Sequence, residues 1–364
     1  GSRKNAPYVL NIVEQLQKKN IYGTGAGVDV AILDTAPSAQ ALVSAYKEWP
    51  DHPLISTLLG PQGKLHLYPA SYEDHWRMNC TSLNDHDYKM TDHGLFIAGL
   101  IHSIAPEAEI HLIEVLNQYG VGDFMSFVQG LQTVQNEIYD PGQKLCINCS
   151  WMLEFPREDR HSRHKNKMGD PDAEFARRVL ELSSALDQSL LLTLQDLFNR
   201  FYGVGRQAMA AAGNDNRKED TDGVLARYPA ALRRVQGVGA LPKSLEKGQN
   251  EKYIPSVFSN LSDAPDKKGI MTLGGEEGDG KGVLGLYIGE FPGCCRNESK
   301  WAWWAGTSFA TPILTGTVAA VLSNNTPNTQ EALKKLYATA GGGFKLIEDG
   351  KARRQEDAMP VTQS

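Results

Sequence analysis

The segment Gly-Thr-Ser-Phe-Ala-Thr-Pro at 306–312 places Ser308 in a turn of small residues just before an apolar run. Serine and threonine are favoured as helix caps and proline in the first helical turn, so the segment predicts Ser308 at or just inside a helix N-terminus. Such a terminus stabilises negative charge that develops nearby. Ser308 is therefore a candidate nucleophile, although a short segment of this kind is also typical of a residue that only caps a core helix.

A serine nucleophile needs a base, and the base needs an acid that orients it. All nine histidines precede Ser308, which excludes the α/β-hydrolase order with its histidine last. His93 opens the glycine-spaced helix candidate at 93–104, and Asp34 ends the apolar run at 28–34. Either residue alone is typical of a cap or a turn. Together with Ser308 they predict an imidazole that bridges an alcohol and a carboxylate.

Apolar segments with strand and helix patterns alternate along the chain. Helices are predicted at 9–19, 93–104, 124–138 and 186–205, and strands at 28–34, 108–116, 144–151 and 207–215. This alternation predicts an α/β fold of three layers, with a mostly parallel central sheet and helices on both faces. In such folds functional residues collect beyond the carboxyl ends of the strands, where Asp34, Ser150 and Asn214 lie.

We find no repeat and interpret the chain as an N-terminal segment with a helix at 1–23, a main domain at 24–342 and a polar tail at 343–364. Residues 154–172 are strongly charged without apolar periodicity, so they predict a surface insertion in the main domain.

Composition excludes several classes of protein. The net charge of −6 and the lack of a basic stripe argue against nucleic-acid binding. No apolar run is long enough to span a bilayer, so no membrane partner is expected. The glycines at 23–27 precede a strand instead of following one, which argues against a dinucleotide site.

Five cysteines are present, an odd number that favours a reducing compartment over a disulfide scaffold. Since the N-terminus also lacks a secretory pattern, we expect a cytoplasmic location; Gly1 and Ser2 leave open whether a leader or pro-segment precedes them. Cys146 and Cys149 fall on a predicted strand and point to opposite faces, so we expect no metal site there.

Four segments, at 30–37, 92–99, 210–215 and 306–312, resemble in type and order the motifs of the subtilisin-like serine proteases, or subtilases. The resemblance implies a subtilisin-like fold and a serine endopeptidase that acts on extended protein or peptide substrates. It implies that Ser308 forms the acyl-enzyme, that His93 is the general base and acid, and that Asp34 orients His93. Asn214 and the backbone N–H of Ser308 are the implied donors to the oxyanion.

The same resemblance implies the residues that border the substrate: Ser150, Trp151, Met152, Ala212, Gly213, Asp222 and Gly223. Trp151 is either a wall of a substrate pocket or ordinary core. Asp222 lies near the floor of the first specificity pocket, where a carboxylate would select Arg or Lys; the alternative is that Asp222 is solvated in a charged loop.

The chain departs from the family pattern at Phe96, Phe309 and Ala36, none of which supplies a catalytic atom. The helix at 93–104 runs directly towards the next strand, where secreted relatives insert a calcium loop. We therefore expect no required cofactor and no structural calcium at that place. An inhibitory pro-segment or regulatory partner is implied by relatives. A catalytically silent scaffold that binds peptides remains the alternative, and a serine esterase would use the same residues.

Overall fold

The structure is a computed structural model that describes residues 7–71, 89–153, 188–217, 223–243, 254–263, 269–278, 280–291, 296–339 and 359–360. The predicted insertion at 154–172 and Asp222 lie outside these residues, as does the tail at 343–364 apart from residues 359 and 360. The domain boundaries at 23 and 342 stay predictions.

A parallel sheet of eight strands forms the centre of the molecule. The strands are β1 Val28–Asp34, β2 Leu65–Tyr68, β3 Glu109–Glu114, β4 Lys144–Cys149, β5 Ala208–Ala211, β6 Gln236–Leu241, β7 Ile270–Leu273 and β10 Met359–Pro360. Their order in the sheet is β10, β7, β6, β5, β4, β1, β3, β2. β8 Val283–Leu286 and β9 Trp301–Trp304 form a separate antiparallel pair.

The central strands are apolar throughout because both faces of the sheet are covered. All seven residues of β1 are buried. Val30 and Ile32 pack into the core on one face, and Ala31 and Leu33 into the core on the other. The run of β-branched and small side chains therefore serves two cores at once.

Helices cover both faces of the sheet. The first face carries α1 Pro7–Lys18, α2 Ala39–Glu48, α3 Pro53–Leu59, α4 His93–Ile104, α7 Thr307–Ser323 and α8 Thr329–Thr339. The second face carries α5 Phe124–Thr133, which continues as a π-helical turn Val134–Ile138, and α6 at 188–203. This arrangement confirms the predicted three-layer α/β fold.

The sequence patterns missed two groups of elements, besides α8 and β10. α2, α3 and β2 lie in a stretch whose sequence is mostly polar. The two helices begin at single capping residues, because Ser38 and His52 accept hydrogen bonds from the first N–H groups of α2 and α3. The four strands β6 to β9 were not predicted, because each has only four to six residues between loops. Within the described ranges, no helix is both long and apolar enough to cross a bilayer.

The two candidate cysteine ligands, Cys146 and Cys149, are buried on β4 and pack into different cores, as predicted. Burial raises the pKa of both thiols, so both stay protonated. In the part of the chain that the structure describes, no group of three or more His, Cys, Asp or Glu side chains could hold a metal ion.

The order of the strands reverses between the parallel neighbours β1 and β4, because β1 leads to β2 and β3 on one side of the sheet while β4 leads to β5 on the other. Leu33 pairs with Cys149 across these strands, so Asp34 and Ser150 follow side by side at the carboxyl edge. Crevices at such a switch point are the usual binding sites of open α/β sheets.

Candidate active site

Asp34 and His93 form a buried pair at the end of β1. The Nδ1 of His93 lies 2.7 Å from the Oδ1 of Asp34, and the two side chains are 5% and 0% exposed. The Oδ1 of Asp34 also accepts the backbone N–H of Thr35 at 2.8 Å. A carboxylate on Nδ1 holds the proton there, so the Nε2 of His93 is left as the acceptor.

The first turn of α4 is fastened to the end of β1. The N–H of Gly94 donates to the Oγ1 of Thr35 at 3.2 Å, and that hydroxyl donates to the carbonyl of Met90 at 2.8 Å. A Cβ on Gly94 would lie 2.2 Å from the carbonyl oxygen of Thr35. Glycine at 94 therefore permits the close approach that brings His93 to Asp34.

A second carboxylate, Asp92, lies just before His93 and does not cap α4. Its Oδ2 instead accepts the N–H of Gly289 at 2.6 Å. Burial raises the pKa of the Asp92 carboxyl, while hydrogen bonds from the backbone N–H groups of Gly289 and Ile288 act in the opposite direction. Asp92 thus joins the start of α4 to the loop after β8.

Ser308 is the second residue of α7, as predicted. At the start of this helix, the N–H of Gly306 donates to the carbonyl of Gly274, and the N–H of Phe309 donates to the carbonyl of Gly306. The N–H of Thr307 donates to the Oδ1 of Asn214. The N–H of Ser308 has no acceptor among the described residues and is free for a ligand. Pro312, however, lies in the helix interior instead of the first turn, so that part of the prediction is wrong.

Among the described residues, no hydrogen bond joins the side chains of Ser308 and His93. The Oγ of Ser308 donates to the backbone carbonyl of Ser150 at 3.1 Å. His93, Ser150 and Ser308 nevertheless line one cavity. A change in the χ1 angle of Ser308 would release the hydroxyl from Ser150, because no other side-chain bond holds it.

Asn214 follows β5 and is oriented by the start of α7. Its Oδ1 accepts both the N–H and the Oγ1 of Thr307, at 2.9 and 3.0 Å. The Oγ1 of Thr307 in turn accepts the N–H of Gly213 at 3.2 Å. Because the amide oxygen is occupied, the Nδ2 of Asn214 is the group left to donate in the cavity that it shares with Ser308.

The departures from the family pattern at Phe96 and Phe309 come together beside His93. The Phe309 ring lies 5.3 Å from the His93 ring and 4.8 Å from the Phe96 ring. Trp304 packs edge-on against His93 at 5.3 Å. Gly285 makes room, since a Cβ there would lie 2.5 Å from the Phe96 ring. Aromatic side chains therefore enclose the imidazole and restrict its orientation.

The cavity has a volume of about 590 Å³ and its walls are mainly apolar. Trp151 is 6% exposed and stacks on Phe127 at 3.8 Å, so it is at the same time core and pocket wall. The backbone N–H and C=O groups of Trp151 and Met152 have no partner in the described chain. An extended peptide could pair with this free edge.

The other predicted substrate-binding residues are distributed around the cavity. Gly213 lines the cavity. Ala212 is buried and does not line it, whereas Ala211 does. Gly223 does not line the cavity and packs on Leu261. Asp222 lies outside the described residues, so nothing is added to its prediction.

An ion pair that sequence reasoning missed lies beside Gly213. The Nε of Arg227 is 2.7 Å from the Oδ2 of Asp215, and a Cβ on Gly213 would lie 3.0 Å from the Cγ of Arg227. Asn260, which is fully buried, accepts the N–H of Asp215 at 2.8 Å. Together these contacts hold the loop that carries Asn214.

Sequence reasoning also failed to identify Thr307 and Thr35 as residues of the site. Both are next to predicted catalytic residues, and that position could have indicated their role. Asn148 was missed although it is a polar residue inside an apolar strand. Trp304 carries no local signal, because its approach to His93 depends on how the β8–β9 pair packs on α4.

The family model of the subtilase family, peptidase S8, matches residues 25–357 of the chain. Serine protease AprX of Bacillus subtilis is 23% identical over 333 residues, which are 88% of this chain and 63% of AprX. The intracellular serine protease of Paenibacillus polymyxa is 25% identical over 340 residues, which are 90% of this chain and 77% of that protein. The chain thus spans less than two thirds of the length of AprX.

Solved structures of similar fold include a lanthipeptide protease, with a TM-score of 0.58 and 19% identity over 96% of this chain and 91% of that one. Sphericase has a TM-score of 0.54 and 18% identity over 92% and 91% of the two chains. These likenesses agree with the observed sheet and helices. With the family match over nearly the whole chain, they lead to one conclusion: the chain belongs to the subtilase family.

Proposed function

We propose that the chain is a serine endopeptidase that forms an acyl-enzyme on Ser308. The observation that carries the proposal is the buried Asp34–His93 pair at 2.7 Å, which opens on the same cavity as Ser308 and Asn214. Family membership and the serine proteases among the relatives support it.

In the proposed reaction the Oγ of Ser308 leaves the carbonyl of Ser150 and attacks the carbonyl carbon of a peptide bond, while its proton moves to the Nε2 of His93. Asp34 stabilises the imidazolium. The electron pair that moves onto the substrate oxygen is stabilised by the N–H of Ser308 and the Nδ2 of Asn214.

The tetrahedral intermediate then collapses as the C–N bond breaks and His93 gives its proton to the leaving amine. Water, which loses a proton to His93, attacks the acyl carbon, and Ser308 regains its proton as the acid product leaves. The free edge at Trp151 and Met152 supports an extended protein or peptide substrate, and the apolar cavity supports apolar side chains in it. No cofactor enters this reaction.

The alternative is a silent or latent scaffold that binds peptides, kept inactive by a pro-segment or a regulatory partner. One observation favours it: the hydroxyl of Ser308 is held by Ser150 and not by His93. The geometry of catalytic hydrogen bonds without substrate does not rule out activity, so the two readings need an experiment.

Incubation with a fluorophosphonate, followed by peptide mapping, distinguishes the two. We expect phosphonylation of Ser308 in the wild type, none in Ser308→Ala, and cleavage of a denatured protein substrate by the wild type alone. Folded wild-type protein that is neither labelled nor active would establish the scaffold. Labelling without cleavage of peptides, but with hydrolysis of esters, would establish an esterase.

A preference for Arg or Lys before the cleaved bond is a separate proposal, supported by the Thr-Asp-Gly sequence that ends at Gly223. Profiling a peptide library with wild type, Asp222→Asn and the matched control Asp220→Asn tests it. We expect Asp222→Asn alone to lose at least about tenfold in kcat/KM for basic residues, because a charge-assisted hydrogen bond is removed. An unchanged profile would end this proposal and leave the endopeptidase proposal intact.

We also propose a cytoplasmic location, supported by the odd cysteine number and by the name of the Paenibacillus relative. Fractionation of cells of the native source, with blotting for the protein, is the test.

A further inference from the structure

The backbone carbonyl of Ser308 lacks the regular partner that an α-helix would give it. In an α-helix this carbonyl accepts the N–H of the residue four positions later. That residue is Pro312, which has no N–H. The proline of the Ser308 motif therefore leaves a carbonyl to be satisfied at the candidate nucleophile itself, in a place where an unpaired polar group is unfavourable.

The side chain of Ser150, the residue after β4, supplies the missing donor. The Oγ of Ser150 donates to the carbonyl of Ser308 at 2.8 Å. Since a carbonyl can only accept, the single hydroxyl proton of Ser150 is committed to it. The Oγ of Ser150 must then be stabilised as an acceptor, and the Nδ2 of Asn148 donates to it at 3.0 Å.

The direction of these bonds fixes the rest of the chain of donors. Because the NH₂ of Asn148 faces Ser150, its Oδ1 faces α7, where the Oγ1 of Thr315 donates to it at 2.9 Å. The same hydroxyl also lies 2.9 Å from the carbonyl of Thr311 in its own helix, so its proton is shared between the two acceptors. The bonds therefore run one way, from Thr315 through Asn148 and Ser150 to Ser308. We call these four residues the relay.

The three relay residues that precede Ser308 are buried. Asn148 and Thr315 are 0% exposed and Ser150 is 3% exposed. At such burial, water does not replace a lost partner, and a donor or acceptor left without one is unfavourable. Asn148 is also a polar residue in a strand whose other central residues are buried cysteines and aliphatic side chains, which packing alone does not explain.

We propose that Asn148 and Thr315 are positioning residues for the nucleophile: through Ser150 they hold the carbonyl that Pro312 leaves free, and so set the backbone of Ser308 that carries both Oγ and the oxyanion N–H. The inference rests on the proposed function of Ser308. It adds a role for residues that contact no substrate and explains why a helix-breaking residue is compatible with an ordered site.

The first test compares two buried threonines of α7. Each hydroxyl donates to the carbonyl four residues earlier in its own helix, and that of Thr315 donates to Asn148 as well. Thr315→Val therefore removes the donor to Asn148, whereas Thr317→Val removes only a bond within the helix. We expect the second-order rate of fluorophosphonate labelling at Ser308 to fall about three- to tenfold in Thr315→Val and to stay within about twofold in Thr317→Val, since about 1.4 kcal/mol corresponds to tenfold. KM for a peptide substrate should change little in either.

The second test is rescue through the backbone. Ser150→Ala removes the donor to the carbonyl of Ser308 and leaves the backbone of Ser150 in place. Pro312→Ala supplies the N–H that the helix lacks, so the double variant Ser150→Ala/Pro312→Ala should label faster than Ser150→Ala. Melting temperatures identify any variant that fails to fold, and the threonine pair still decides in that case.

Equal labelling rates for the two threonine variants, or a double variant no faster than Ser150→Ala, would overturn the relay. If the folded wild-type protein is not labelled at Ser308, the proposed function fails instead. The two failures are therefore distinct.

Discussion

Gly94 leaves no room for a side chain between α4 and the end of β1. A Cβ at this position would lie 2.2 Å from the carbonyl oxygen of Thr35, 2.8 Å from the Cδ1 of Leu112 and 3.1 Å from the Cβ of Asp34. Two of these neighbours are backbone or a Cβ, which do not move aside by rotation. In Gly94→Ala the first turn of α4 must therefore move away from β1 by about 1 Å or more, to reach ordinary contact distance.

That movement acts directly on the Asp34–His93 pair, because His93 is the residue before Gly94. A displacement of about 1 Å takes the 2.7 Å contact beyond hydrogen-bond distance. We expect kcat/KM to fall by about 10², the magnitude associated with misplacement of this size, and the free energy of unfolding to fall by about 1–3 kcal/mol from overpacking.

The assays are peptide hydrolysis and urea unfolding of wild type and Gly94→Ala, with Gly203→Ala as control. Gly203 ends the described part of α6 and has nothing within 4 Å of its added Cβ. The control should keep full activity and gain a few tenths of a kcal/mol or more. Wild-type kcat/KM in Gly94→Ala would refute the conclusion that close backbone approach positions His93.

Two further outcomes are expected. Asn214→Ala should lower kcat by about 10²–10³ with little change in KM, a range taken from single oxyanion donors in other enzymes of this kind; a change confined to KM would contradict the role of Asn214. His102 concerns stability: burial, assisted by Lys64, lowers its pKa from 6.5 to about 4. The folded value lies below the unfolded one, so the stability that the neutral ring contributes is complete above about pH 6.5 and is lost as pH falls towards 4. The whole shift corresponds to about 3 kcal/mol, of which about 2 is lost by pH 5. Burial lowers the pKa of His52 to about 4 as well, so part of the pH dependence remains without His102. Urea unfolding at pH 7.5 and 5 should therefore show a loss about 2 kcal/mol smaller in His102→Leu than in the wild type, and equal pH dependence of the two would remove His102 as a cause.

Local patterns were sufficient for the elements that carry the site. Asp34 ends a long apolar run, His93 opens a glycine-spaced helix and Ser308 lies in a turn before another, and all three fall where the patterns predicted. α2 and α3 were not predicted, since their caps at Ser38 and His52 are single-residue signals inside a polar stretch.

Side-chain partners were beyond the reach of those patterns. The sequence suggested a hydrogen bond from Ser308 to His93, and the structure pairs its hydroxyl with Ser150. Trp151 was open between core and pocket, and it is both, because its ring stacks on Phe127 while it also lines the cavity.

The sequence by itself determined the fold class, the family resemblance and the order of Asp34, His93, Asn214 and Ser308, because periodicity, caps and turns depend on neighbouring residues. Only the tertiary structure decided which acceptor each donor finds. Ser150 meets the carbonyl of Ser308 across 158 positions, and Asn214 meets Thr307 across 93. Such bonds depend on how strands and helices pack in space, and a carbonyl left free by Pro312 gives no sign in the sequence of the side chain that will bind it.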